Sequence, residues 1–257
     1  MIGAIIGDIV GSIYEFHNIK SKNFQLFDDK CHFTDDTVMT IAVYKALKEC
    51  KGNYENLSNK VIEKMKYYGK KYIECGFGSM FKTWLNSDNS LPYNSYGNGA
   101  GMRVSPVIDF ASSIDEVKDL SKKVTMVTHN HIEGIKGAEA TAVANYLAKN
   151  KFSKCEIKNY ITKNYYQLDY DYQTLIKNYK FDVTCQGTIP VAIYCFLISN
   201  SFEDCLRTTI SIGGDSDTLS AISCSIAEQF YGIPFKIREK ALEFLDKDLL
   251  EDIKEIL

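Results

Sequence analysis

An all-α fold follows from three features of this sequence. Apolar residues recur at helical spacing over most of its length. Strand signals are scarce: period-two alternation is weak, and no hairpin dipeptide is flanked by strand-like runs. Only 4 Pro interrupt 257 residues, so long helical runs are possible. That length allows one large core or two small ones. No linker divides it, so residues 1–257 read as one domain of many helices packed around the apolar N-terminal one.

Met1 to Ile13 is the first element, a buried helix. Gly3, Gly7 and Gly11 are spaced four apart and line one face, where another helix can approach closely. In a membrane such a face would resemble a dimerisation motif, but the run is too short and contains Asp8. It ends in Tyr14-Glu15-Phe16-His17. Glu15 is either a solvated helix end or an active-site acid, and taken alone the first reading wins. Lys20 to Lys30 is polar and reads as a loop. Phe33-Thr34-Asp35-Asp36-Thr37 then opens a helix with Val38, Ala42 and Ala46 on one line and Met39, Val43 and Leu47 on the next. One carboxylate suffices as a cap. Two adjacent ones repel unless a cation or the helix dipole compensates, so this pair reads as a hard-cation site.

Tyr54 to Ile73 is the next helix. Cys75-Gly76-Phe77-Gly78-Ser79-Met80 breaks it and starts another. Ser90 to Gly101 is a long loop rich in Gly, Asn and Ser. Its backbone N–H groups can hold phosphate, and a plain surface loop is an equally good reading. A Walker P-loop is excluded, because no Lys-Ser/Thr ending and no preceding strand are present. Met102 to Pro106 closes the loop. Ile114 to Met126 is amphipathic. Thr128-His129-Asn130-His131 precedes a helix running through Ala138 and Ala142 to Leu147. No other His or Cys has a spacing that matches the two His, which argues against zinc. Lys151 to Phe181 is rich in Tyr, Lys and Asn and reads as a peripheral helical hairpin.

Thr188 to Phe196 is a buried apolar run, and Asp204 to Ile210 leads into Ser211-Ile212-Gly213-Gly214-Asp215-Ser216-Asp217-Thr218. Here two glycines remove side chains where two carboxylates and a hydroxyl come together. Leu219, Ile222, Ile226 and Phe230 follow at helical spacing, and Tyr231-Gly232-Ile233-Pro234 is a stop signal. This is a second acidic helix start. Ile237 to Leu257 reads as one charged amphipathic surface helix.

Composition excludes several classes. A net charge of -3 argues against binding nucleic acid through a basic face. No run reaches the length of a membrane span, and the N-terminus, which carries Asp8 and no basic leader, is a poor signal peptide. The 8 Cys are scattered without a C-x-x-C pair, as expected for free thiols in a reducing cytoplasm.

Asp35, Asp36, Asp215 and Asp217 cannot share an apolar region as bare anions. Either they lie apart on the surface or cations hold them together. Oxygen-only ligands select hard ions, Mg²⁺, Mn²⁺ or Ca²⁺. Four carboxylates with the Thr34 and Thr218 oxygens are enough for two ions. Such pairs, about 3.5–4 Å apart, clamp substrate oxygens or activate a water.

Thr34-Asp35-Asp36-Thr37, Gly97-Asn98-Gly99 with Met102-Arg103, and Gly214-Asp215-Ser216-Asp217-Thr218 resemble the three signature motifs of the ADP-ribosylglycohydrolases. Gly7-Asp8, Gly11-Ser12 and Tyr14-Glu15 resemble the N-terminal motif of that family. The resemblance runs from Ile2 to about Pro234. It implies an orthogonal multi-helix bundle with two Mg²⁺ (or Mn²⁺) ions on Thr34, Asp35, Asp36, Asp215, Asp217 and Thr218. It also implies that Ser95, Tyr96, Gly97, Asn98 and Gly99 bind phosphate and adenosine, with Tyr96 stacked on adenine. Gly76 and Gly78 match a turn beside the diphosphate, and His129 a histidine that contacts the distal ribose or the phosphates. Glu15, Asp35 and Asp36 form the implied catalytic group, with Glu15 or a metal-bound water supplying the base.

The expected activity is metal-dependent hydrolysis of the bond between ADP-ribose and an acceptor, N-linked to arginine or O-linked to serine. The partner is then the ADP-ribose moiety of a modified protein, and a monomer is expected. Two other functions compete: an inactive ADP-ribose-binding or crystallin-like protein, and a two-metal nucleotide phosphohydrolase.

Overall fold

Fourteen α-helices carry the fold, and the computed structural model describes all 257 residues. The N-terminal part holds α1 (Ile2–Gly11), α2 (Asp35–Glu49), α3 (Leu57–Lys71), α4 (Ser79–Asn86) and the single turn α5 (Gly99–Met102). The middle holds α6 (Ile114–Thr125), α7 (Ile132–Lys149), α8 (Lys154–Asn164) and α9 (Tyr172–Asn178). The C-terminal part holds α10 (Cys185–Ile198), α11 (Phe202–Ile212), α12 (Ser216–Tyr231), α13 (Phe235–Leu242) and α14 (Lys247–Ile253). There is no sheet, only one isolated antiparallel bridge between Gly97 and Thr184. The all-α class expected from the sequence is the one observed.

Every residue of α1 is buried, and its glycine face meets α12. A Cβ on Gly3 would stand 2.3 Å from the Cys224 carbonyl oxygen, one on Gly7 2.2 Å from that of Ser220, and one on Gly11 2.5 Å from Asp217 Cα. The two backbones therefore touch along the whole of α1. This contact brings Asp8 of α1 next to Asp217 of α12. Around the pair, α1 also packs on α2 and α13, and α12 on α7, α10 and α11. Sixty-six buried apolar residues form one continuous cluster.

Several expected elements differ in detail. The first helix stops at Gly11, and Ser12–Tyr14 continue the chain as a 3-10 turn that leads into Glu15. Residues 151–181 hold two helices, α8 and α9; α8 is opened by a capping box between Ser153 and Glu156. The C-terminal segment is not one helix. It breaks after Leu242, and Asp246 starts α14 by accepting from the Leu249 N–H at 2.8 Å. The loop from Ser90 ends in a helical turn, and its Ser95 and Asn98 are buried. All eight cysteines are free, six of them buried. No helix is long and apolar enough to cross a membrane.

Candidate active site

The two acidic helix starts meet. At the first, Thr34 caps α2 by accepting from the Asp36 N–H at 3.3 Å. A second cap comes from another helix. Asp8, fully buried on α1, accepts from the Thr34 N–H (2.9 Å), Thr34 Oγ1 (2.6 Å), the Thr37 N–H (3.0 Å) and Thr37 Oγ1. Its negative charge sits against the positive end of the α2 dipole. At the second start, Gly213 and Gly214 have φ of 72° and 80°, a left-handed geometry that suits glycine. They turn Asp215 into the N-cap position of α12.

Cross-links join the two starts. Thr218 Oγ1 of α12 donates to Asp36 Oδ2 of α2 at 3.0 Å. Asn98 Nδ2, from the glycine-rich loop, donates to Asp215 Oδ2 at 2.6 Å. Asp217 Oδ1 accepts from the Thr218 N–H at 2.9 Å. Asp36 Oδ1 is buried with no hydrogen-bond partner at all. Carboxylate oxygens of Asp8, Asp36 and Asp217 lie within 4.8 Å of one another, and so do those of Glu15, Asp215 and Asp217. Asp217 is common to both triads.

So many acids in one dry region shift one another. Burial, then the neighbouring charge of Asp217, pushes Asp36 well above the usual carboxylate range and Asp35 up to about 8. Burial, then Asp215, raises Asp217 in the same way. Burial also raises Asp215 to about 6, and Glu15, with added repulsion from Asp217 and Asp8, to about 8. Burial raises Asp8 against the pull of its four hydrogen bonds. The cluster is short of positive charge. Its donors are all oxygens and one of them, Asp36 Oδ1, is buried and unused, which suits hard divalent cations.

A cavity of about 300 Å³ opens above this floor. Of the residues singled out from the sequence, Glu15, Asp35, Asp36, Asp215, Asp217 and Thr218 line its acidic end. Gly76, Gly78, Ser95, Gly97, Asn98, Gly99 and His129 line the rest. Gly76 has φ of 93°, and a Cβ there would meet Asp35 Oδ1 at 3.3 Å, so the turn lies directly on the acid. Two sit elsewhere. Thr34 is buried beneath the cavity with its hydroxyl turned to Asp8. Tyr96 is 47% exposed outside the cavity, its ring 5.2 Å from that of His131.

Sequence reasoning missed other participants. Asp8 was legible only as part of a motif, since nothing in its sequence surroundings shows which helix it would cap. Asn18 Oδ1 accepts from the Gly214 N–H (2.8 Å) while its Nδ2 donates to the carbonyls of Gly214 (2.9 Å) and Glu15 (3.0 Å). It thus ties the Glu15 turn to the Gly-Gly turn, and no pattern in the polar loop marks it. Phe181 and Val183, at the end of the Tyr-rich segment, form part of the cavity wall. Their strand-like stretch is held to the glycine-rich loop by the Asn98 N–H on the Val183 carbonyl (2.7 Å) and the Cys185 N–H on that of Tyr96 (2.9 Å). The Asn130-His131 pair has a structural role: Asn130 Oδ1 accepts from the Asn94 N–H at 2.8 Å, and His131 caps α7.

Known proteins share this architecture. A mouse protein named ADP-ribosylhydrolase ARH3 is 24% identical, aligned over 97% of this chain and 88% of its own length. The human protein of that name is also 24% identical, over 91% and 84%. A solved structure titled ADP-ribosylglycohydrolase-related protein complex superimposes with a TM-score of 0.71 at 17% identity, covering all of this chain and 97% of that one. The family model of the ADP-ribosylglycohydrolases matches residues 1–257, and the chain belongs to that family.

Proposed function

We propose that this protein hydrolyses the glycosidic bond between ADP-ribose and a protein acceptor, using two divalent cations, Mg²⁺ or Mn²⁺. The observation that carries the reading is the convergence of two acidic helix starts, α2 and α12, on one end of a cavity. Relatives named ADP-ribosylhydrolase align over nearly the whole chain and support it.

Thr34, Asp35, Asp36, Asp215, Asp217 and Thr218 are the proposed cation ligands. Thr34 Oγ1 donates to Asp8 while accepting from the Asp36 N–H, and Thr218 Oγ1 donates to Asp36, so each hydroxyl keeps a lone pair for a cation. When bound, the cations would act as Lewis acids that fix and polarise the oxygens of the ribose next to the scissile bond. Asn98 steadies Asp215, and the buried floor keeps bulk water from the acids. Glu15 stands at the edge of this group, half-buried, with its carboxylate near Asp215 and Asp217. From there it orients the attacking water and takes its proton. Burial first, then repulsion from Asp217 and Asp8, raises Glu15 to about 8; bound cations would offset the repulsion and so favour the ionised form that serves as base.

Ser95, Gly97, Asn98, Gly99 and His129 provide the ADP-ribose wall, and Gly76 and Gly78 leave room for the diphosphate. The exposed ring of Tyr96 offers a face on which adenine stacks. The protein works as a monomer in the cytoplasm in this reading, with its thiols reduced.

The test is incubation with Mg²⁺ and either arginine-linked or serine-linked ADP-ribosyl peptides, with products read by mass spectrometry. Release of free ADP-ribose from one of them is expected, together with loss of release in chelator. Binding of ADP-ribose without release from either peptide would replace the hydrolase with a binding protein. Liberation of inorganic phosphate from a nucleotide would point to a phosphohydrolase.

A further inference from the structure

Arg103 is the largest fully buried side chain in the protein, and it forms no ion pair. Its guanidinium sits 6.0 Å from the Phe81 ring centroid and points Nη1 at Met65 Sδ, 3.7 Å away. Its Nε has no partner. Burying a cation on such terms costs several kcal/mol. Packing alone does not explain it, because an apolar side chain would fill the space at lower cost.

Besides a long bond from Nη2 to Thr128 Oγ1 at 3.4 Å, the guanidinium has one short polar contact, and it is informative. Nη2 lies 2.7 Å from His129 Nδ1, and Thr128 Oγ1 lies 2.8 Å from the same nitrogen. Arginine is a donor only and does not lose its charge in proteins. A proton on Nδ1 would therefore face another donor at 2.7 Å. Nδ1 must accept, and the ring proton must sit on Nε2. Nε2 faces the other way. It lies 3.5 Å and 3.3 Å from the points where Cβ atoms would stand on Gly97 and Gly99. Those missing side chains leave Nε2 uncovered at the cavity wall.

We infer that Arg103 is a positioning residue, which locks His129 in the neutral form protonated at Nε2 and so presents the cavity with a fixed hydrogen-bond donor. The ligand must then offer an acceptor oxygen at this point. The cation behind the imidazole polarises the Nε2–H bond, so an anionic oxygen is favoured over a neutral one. A ligand group that itself donates here is rejected. Burial and the adjacent Arg103 charge both hold the His129 pKa well below the ordinary histidine value, in agreement with this geometry. The inference rests on the reading of the cavity as an ADP-ribose site only for the identity of the ligand, not for the state of the ring.

The chain has 4 His, so a long-range proton–nitrogen correlation spectrum of the labelled protein can be assigned by single substitutions. The expected pattern for His129 is a neutral ring with the proton on Nε2. In Arg103→Met that pattern gives way to a mixture of tautomers. A second measurement uses calorimetry with ADP-ribose. Arg103→Met and His129→Phe should each weaken binding about 3–10-fold, the scale of one hydrogen bond. The double variant should be no weaker than the weaker single, and His129→Gln, whose amide can accept from Arg103 and donate to the ligand, should recover part of the affinity.

A His129 proton on Nδ1 in the wild type overturns the inference, and so do additive losses in the double variant. Should Arg103→Met fail to fold, the wild-type spectrum and the contrast between the Phe and Gln variants still decide the matter. Failure of the wild type to bind ADP-ribose would sink the reading of the cavity, while the spectrum would still judge the role of Arg103.

Discussion

Gly3→Ala and Gly11→Ala place the same methyl group on the same face of α1 and should have different consequences. On Gly11, Cβ would stand 2.5 Å from Asp217 Cα, 2.6 Å from the Ser216 carbonyl oxygen and 2.8 Å from the Asp217 nitrogen. These are backbone atoms and cannot move aside by changing rotamer. Favourable separations between carbons are about 3.5–4.0 Å, so the start of α12 must recede by roughly 1 Å. Cation–oxygen distances tolerate about 0.2 Å. The displacement is several times that tolerance, and it falls on a proposed ligand. On Gly3, Cβ would stand 2.3 Å from the Cys224 carbonyl oxygen and 2.8 Å from Glu228 Cβ, about 12 Å further along the helix. Overpacking of this kind costs about 1–3 kcal/mol. Both variants should therefore lose about that much in denaturant melts under chelator. Calorimetry with Mg²⁺ should separate them: Gly11→Ala loses at least about tenfold in affinity, whereas Gly3→Ala stays within about twofold. Equal Mg²⁺ affinities would show that the α1–α12 contact does not set the geometry of the acidic cluster.

Three further outcomes follow from the site. Glu15→Gln keeps the size and most of the hydrogen bonding of the side chain; steady-state assays should show hydrolysis slowed about 10²–10⁴-fold with Mg²⁺ and ADP-ribose binding near wild type. Tyr96→Ala should weaken ADP-ribose by about 1–3 kcal/mol in calorimetry and leave Mg²⁺ affinity alone; unchanged ADP-ribose affinity would mean that the exposed ring is not the adenine platform. The third outcome concerns pH. In the cation-free protein Glu15 and Asp35 are raised to about 8 and Asp215 to about 6, so the folded state holds protons that the unfolded chain has already released. That contribution to stability is complete below the ordinary carboxylate values and is lost as pH rises toward about 8. Thermal melts in chelator should give a lower Tm near pH 8 than near pH 6, and saturating Mg²⁺ should remove the difference. A Tm that climbs with pH in chelator would contradict the assignment of these acids to one buried cluster.

What the sequence reveals and what it hides divides along physical lines. Helix type, the two acidic starts and the glycine face are local patterns, and each is visible in a short window. The Asp35-Asp36 pair and the Gly-Gly-Asp-Ser-Asp run carry more acid than a cap needs, so they announce a site without any knowledge of the fold. The glycine spacing in α1 even announces a close helix partner. It does not say which one, because any helix with small residues could lie there. The break between α13 and α14 was missed because the charged amphipathic pattern continues through Glu243–Asp246 without Gly or Pro. The role of Asn18 was hidden for a different reason: it is one polar residue in a polar loop, and its four partners are backbone groups on two turns far apart in sequence.

Asp8 shows how the two kinds of information combine. A lone acid in an apolar helix looks costly, and burial does raise it. The cost is met by a neighbour that the sequence cannot supply by itself: Thr34 and Thr37 bring four donors from the first turn of α2. Those bonds fix the direction of the Thr34 hydroxyl, and through it the oxygen that Thr34 can turn toward a cation. The same helix places Gly11 against Asp217 Cα and, through the Ser12–Tyr14 turn, carries Glu15 to the edge of the second triad. One short buried helix therefore sets the position of a supporting carboxylate, a proposed ligand and the proposed base. That is why Gly11, which meets Asp217, cannot be exchanged independently of the chemistry although it does not line the cavity, whereas Gly3 at the far end of the same face can.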